Sequence, residues 1–277
     1  MQENFMISSS NASSLVYANA LNSANAQAAK SSERISTTLK INRASDDPAG
    51  LVKAMGFKTE VGSYTRVLDN LSNTNEVIQN VSSTLTDISS IIDNMSALAL
   101  KATTETDTTV LAAYQTSFSN YRDEITNLIA DVTVDGSSVM DGSTTTISAQ
   151  VGIDAGDTRT FTMIDASTST LGISSLDISS GAAAAITALS TASDTVDSYI
   201  STMGAYGNIM DIRTSFTNSM ITNKTTAYNN LMSADIAKET ANLAVAQIRQ
   251  TAASAMLAQA NTINKDVVSY LLKGTLN

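Results

Sequence analysis

Apolar residues recur along this chain in alternating steps of four and three. The clearest run reads Val67, Leu71, Thr74, Ile78, Val81, Leu85, Ile88, Ile92, Met95, Ala99. That spacing is a coiled-coil seam, and Thr74 is its one polar position. At about 1.5 Å per residue it predicts a helix about 50 Å long. The stretch from Lys101 to Thr109, rich in Thr and Asp, interrupts it, because those residues suit caps better than helix interiors. A second seam follows at Leu111, Tyr114, Phe118, Tyr121, Ile125, Leu128 and Val132. A third runs through Ile186, Leu189, Ser193, Val196, Ile200, Met203, Gly207 and Met210. It is read as slipping phase near Gly204–Gly207 and continuing through Ile212, Phe216, Met220, Asn223, Ala227 and Leu231.

Between Val134 and Ser180 the period changes. Ile147, Ala149, Val151 and Ile153 alternate with polar residues, Asp154–Asp157 reads as a turn, and Phe161 and Met163 alternate again. This pattern predicts a β-hairpin. It would form the tip joining two helical arms rooted at the chain ends, so the expected molecule is a rod with its N- and C-terminal parts side by side.

The outermost segments carry thinner stripes. One is Leu21, Ala24, Ala28, Ser32, Ile35 and Leu39; the other is Val245, Ile248, Ala252, Met256, Ala260, Ile263, Val267 and Leu271. Their flanks are Asn, Gln, Ser and Ala, so a single covered face returns little against the entropy of ordering each helix. The expectation is that both ends are loose in a lone chain and gain order when several copies cover more than one face.

A polar knot, Asn42 to Pro48, separates the first terminal stripe from the first arm, and it holds the chain's only proline. Pro48 pushes Asp47 out of the helical region. Asp is a good N-cap and Pro a favoured first helical residue. The knot therefore ends one helix and starts the next. Segment bounds follow: 1–45 and 233–277 as terminal assembly segments, 46–133 and 181–232 as arm helices, and 134–180 as the tip. The expected fold class is mainly α, a long antiparallel coiled coil with a small β-hairpin and paired terminal helices.

Composition narrows the chemistry. Trp, Cys and His are absent, and aromatics make up 5% of the 277 residues. A wide core needs more bulk than this, whereas narrow helical seams do not. Without Cys there is no disulfide or thiolate site, and without His the commonest general base and metal ligand is missing. The formal charge of −10, with 16 Lys and Arg scattered through the chain, argues against nucleic acid and against anionic membrane as partners. No apolar run reaches the roughly 18 residues of a membrane span. The N-terminus lacks a charged start followed by an apolar block, so it does not read as a signal peptide, and if the protein leaves the cell it uses a route that does not read such a signal.

The remaining polar features read as structure. Asp46 and Asp47 lie directly before Pro48, which makes capping the better account than a metal pair. Asp154 to Asp157 lacks the ligand spacing of a calcium loop. Gly50, Gly56 and Gly62 are followed by no Gly-Lys-Ser/Thr, so they make no phosphate loop. No cofactor is expected.

Two motifs then carry a resemblance. "ERISTTLKINRASDDPAG", Glu33 to Gly50, resembles the N-terminal signature of bacterial flagellins. "AKETANLAVAQIRQTAASAMLAQANTINKDVVSYLL", Ala237 to Leu272, resembles their C-terminal signature. The resemblance covers roughly residues 6–135 and 181–277, with a short middle. It implies a structural subunit of the flagellar filament, exported unfolded through the flagellar type III channel, without enzymatic activity. Its implied partners are further copies of itself, an export chaperone that holds the C-terminal helix, the filament cap and the hook-associated junction proteins. The implied assembly and chaperone segment contains Ile248, Ala252, Met256, Leu257, Gln259, Ala260, Asn261, Ile263, Val267 and Leu271. The N-terminal assembly and boundary residues are Leu21, Ala28, Arg34, Ile35, Leu39, Ile41, Asn42, Asp46, Asp47 and Pro48. The family usually has Ser-Gly where this chain has Thr37-Thr38, which removes the residue suited to a bend. Two alternatives stay open on the same architecture: a hook–filament junction protein and a flagellin-like adhesin.

Overall fold

A computed structural model describes the backbone of residues 2–274 and the side-chain surroundings of residues 12–269. The described chain is mainly α. Its elements in order are α1 (Gln2–Thr37), α2 (Pro48–Ala102), α3 (Thr108–Asp131), β1 (Thr133–Val134), β2 (Ser137–Ser138), β3 (Thr146–Gln150), β4 (Thr158–Thr162), α4 (Ile178–Met232) and α5 (Ile236–Gly274). The chain divides into two compact units, Met1–Lys58 with Thr225–Asn277, and Thr59–Lys224.

The second unit holds the larger core. Every apolar position of the α2 seam from Val67 to Ala99 is buried, and Tyr64 and Ala102 extend it at either end. Phe118, Ile125 and Ile129 of α3 and Leu189, Val196, Met203 and Met210 of α4 complete the same cluster. The seam works because branched and unbranched aliphatic side chains meet along it, and its one polar member, Thr74, donates its hydroxyl to the Asn70 carbonyl. Asp107 caps α3, its carboxylate accepting the Thr109 N–H at 2.8 Å.

The α4 seam corrects the expected phase slip. Its buried positions run Leu189, Val196, Met203, Met210 and Thr217 at unbroken seven-residue intervals. Ile212 and Phe216, read as the continuation, are 68% and 51% exposed. Apolar type misled there, since the register passes through the fully buried Thr217 to Lys224, which pairs with Glu60 at 2.6 Å. Similarly, Tyr121 of the α3 seam is exposed at its rim while Ile129 is buried.

The hairpin forms as expected. β3 and β4 are antiparallel, with Ile147 opposite Phe161 and Ala149 opposite Arg159. Ala149 and Phe161 face the core, and Phe161 meets Tyr206 edge-on at 5.0 Å between ring centroids. Ile153 lies beyond the strand and is exposed. A second, very short hairpin pairs β1 with β2 through Asp135 and Gly136, at φ 50° and 79°. Positive φ at both central residues is what an Asp-Gly turn supplies.

Candidate assembly surface

The first unit is built around α1 and α5. The two run antiparallel, since Ser31 meets Glu239 while Ser14 meets Asn264. Their Cα atoms approach within 8 Å along the contact, and no other pair of described helices does so over more than a couple of residues. Small side chains permit this. Ala24 and Ser31 of α1 are buried against α5, and Glu239, Ala246, Ala253 and Ala260 of α5 are buried against α1, each one heptad after the last.

This seam reassigns the predicted C-terminal stripe. On α5 the line buried against α1 carries the alanines, and several bulkier apolar residues lie exposed beside it. Ile248 is 69% exposed, Met256 54% and Ile263 49%, and Val245 and Val268 are similarly open. Ala252, Gln259 and Asn261 are exposed; Leu257 and Val267 are half-buried; Ala260 is buried. Leu271 falls within α5, but its side chain lies outside the described residues. α5 therefore has two apolar faces, and one of them is uncovered. On α1 the predicted stripe holds closely: Leu21, Ala28 and Ile35 are half-buried on the α5 side, but Ser31 rather than Ser32 takes the buried place. Helix packing selects for size as well as polarity, so a polarity stripe alone does not mark the covered face.

One polar cluster interrupts the seam. Arg34 donates to Glu239 Oε1 at 2.9 Å, Ser31 donates to Oε2 at 3.1 Å, and Asn242 donates to Oε2 at 3.4 Å. Burial alone would raise the Glu239 carboxyl, but these donors outweigh it and hold it below its ordinary value. Glu239 was not singled out in the sequence, where it reads as one more helical acid. Its heptad phase with Ala246, Ala253 and Ala260 was the available signal.

The knot is organised as its residue types suggest. The Asp47 carboxylate accepts the Gly50 N–H at 2.9 Å, and α2 begins at Pro48. Asp46 accepts the N–H groups of Asn42 and Arg43 and pairs with Lys30 at 3.0 Å. The Lys30 bond first, then the two backbone bonds, lower its pKa. Asn42 donates to the Leu39 carbonyl, and Ile41, Ala54 and Met232 are buried together with Leu39 packed on them. The bend after α1 is present despite the missing glycine: Thr38 adopts φ 59° itself. Among the described residues no three His, Cys, Asp or Glu side chains come together as a metal site would require. No described helix is long and apolar enough to cross a membrane.

A helical core with paired terminal helices and an open apolar stripe is the build of a structural, associating subunit rather than of a catalytic site. Comparison with known proteins gives the family. The model of the bacterial flagellin N-terminal helical region matches residues 8–145, and that of the C-terminal helical region matches residues 186–271. Flagellin FljM of Caulobacter vibrioides is 28% identical over 94% of this chain and 96% of its own. A flagellin of Halalkalibacterium halodurans is 27% identical over 88% and 92%. Among solved structures, Bacillus cereus flagellin aligns over 53% of this chain and 88% of its own, at 23% identity and a TM-score of 0.49. The chain belongs to the bacterial flagellins, the structural subunits of the extracellular flagellar filament.

Proposed function

We propose that the α1/α5 pair is the assembly element of this subunit and that it acts by coupled folding and polymerisation, without catalysis. The observation that carries this reading is the second, uncovered face of α5, with Ile248, Met256 and Ile263 about half or more exposed beside an already filled alanine seam. An exposed apolar stripe on a helix is stable in water once neighbours cover it. Segments 1–45 and 233–277 line the inner tube, 46–133 and 181–232 form the surrounding shell, and 134–180 makes lengthwise contacts. Before assembly the same α5 stripe is the ground held by an export chaperone, and the chain leaves the cell through the flagellar type III channel. At the filament ends it meets the cap and the hook-associated junction proteins.

The test is polymerisation of purified protein after seeding, read by sedimentation and electron microscopy. Full-length chain is expected to give long filaments. Deletion of 237–277, or the double variant Ile248→Ser with Met256→Ser, is expected to leave a soluble helical protein that stays in the supernatant. Filaments from the deletion would overturn the reading. Short rings in place of filaments from the full-length chain would favour the junction-protein alternative.

A further inference from the structure

We propose that the buried cluster of Ser31, Arg34 and Glu239 sets the register of α1 against α5. The proposal rests on the assembly reading only for its consequence, which is where the open α5 stripe falls relative to α1.

The alanine line alone cannot choose a register. α5 turns Ala246, Ala253 and Ala260 toward α1, one residue type at seven-residue intervals. A slide of one heptad lays alanine where alanine was along that line. Glu239 sits one heptad before Ala246 in the same line and breaks the repeat. It is 7% exposed, and both carboxylate oxygens are occupied: Oε1 by Arg34, Oε2 by Ser31 and Asn242. Ser31 is fully buried. Among the described residues the one ion pair of Arg34 is with Glu239, and its Nε is shielded without an acceptor. A slide that brings Ala246 opposite Ser31 carries the carboxylate off Arg34 and leaves buried polar groups without partners. That penalty adds to the loss of the Leu39–Ser233 backbone bridge beside it, and it falls on every register but one. A single buried polar position fixing the register of an otherwise repetitive helix pair is a well-attested use of such groups.

The chain has no cysteine, so introduced thiols are the only ones present. Asn264 donates to Ser14 Oγ at 2.9 Å, well away from the cluster. Ser14→Cys with Asn264→Cys therefore reports the observed register. Ser14→Cys with Leu257→Cys or with Leu271→Cys reports a slip of one heptad either way. The full-length chains are oxidised briefly, in solution and after seeding, and intramolecular disulfide is read by mobility on non-reducing gels in whichever state pairs α1 with α5. With Glu239 intact, the 14–264 cross-link is expected to exceed either slipped one at least tenfold. Adding Glu239→Ala is expected to lower that ratio at least fivefold, and Arg34→Glu with Glu239→Arg to restore it. An unchanged ratio in Glu239→Ala overturns the proposal. So does an equal fall of all three cross-links, which is what a cluster adding stability alone would give, and so does failure of the swapped pair to restore the ratio. Filament formation is scored separately on unmodified protein. A register signal without filaments sinks the assembly reading and leaves this one standing.

Discussion

Leu39 and Ser233 face each other across an isolated antiparallel bridge that joins the end of α1 to the chain entering α5. Lys40 N–H donates to the Met232 carbonyl at 2.6 Å, and Ala234 N–H donates to the Thr38 carbonyl at 2.9 Å. Two helices thus break at one level, and their freed backbone groups satisfy one another. The bridge also explains how Thr38 is held at φ 59°. A β-branched residue in the left-handed region is strained, and it persists when its surroundings over-determine it.

Thr38→Gly should therefore stabilise the first unit. Relief of about 1–2 kcal/mol of left-handed strain exceeds the roughly 0.5–1 kcal/mol entropic cost of glycine, for a net gain below about 1.5 kcal/mol. Thr38→Val keeps the branching and should give no gain. Urea unfolding followed by circular dichroism distinguishes the two, and destabilisation by glycine would show that the threonine is unstrained.

Gly50 is constrained in the opposite sense. A Cβ there would collide with the Asp47 carboxylate and come 3.0 Å from Ile41 Cδ1. Gly50→Ala should displace the cap and cost about 1–2 kcal/mol, similar to Asp47→Ala. Because both act on one contact, the double variant should cost clearly less than the sum. Full additivity in urea unfolding would separate the glycine from the cap.

The terminal pair should loosen in acid. Glu239 has an ordinary value of 4.5 that is lowered in the folded chain by Arg34, Asn242 and Ser31, against the raising effect of burial. A lowered carboxyl stabilises the folded form above its ordinary value and loses that contribution as pH falls through the folded one. Asp46, lowered first by Lys30 and then by the Asn42 and Arg43 N–H groups, acts in the same direction. Helicity contributed by α1 and α5 should fall below about pH 4.5, and Glu239→Gln should flatten part of that dependence. An acid profile identical in Glu239→Gln would remove Glu239 as its source.

What the sequence made legible depended on how directly residue type reports burial. Along the α2 seam it does so, because Ile78, Val81, Leu85, Ile88 and Ile92 are large, apolar and inside. The Asp47–Pro48 start and the Ile147–Phe161 hairpin were legible for a similar reason, since cap chemistry and strict alternation admit few alternatives. Type failed where packing distance decided. α1 and α5 lie so close that alanine and serine win the seam, and Val245, Ile248 and Met256 are turned outward. The Asp135–Gly136 turn was in plain view but lies outside the alternation from Ile147 to Met163 that marks the longer hairpin. Glu239 looked like surface because an acid inside a seam is recognised only once Ala246, Ala253 and Ala260 are seen to share its line.

The α4 seam offers a direct contrast between apolar type and actual burial. Met210 is fully buried, whereas Ile212 and Phe216 are mostly open on the same helix. Met210→Ala should lower the stability of the second unit by about 2–5 kcal/mol, through lost burial and the cavity left behind. Leu85→Ala of α2 should fall in the same range. Ile212→Ser and Phe216→Ser should each change it by less than about 0.5 kcal/mol, as surface substitutions do. Urea unfolding of the four variants ranks them. Should Phe216→Ser cost as much as Met210→Ala, the seam would follow Ile212 and Phe216 after all, and the unbroken heptad through Thr217 would be wrong.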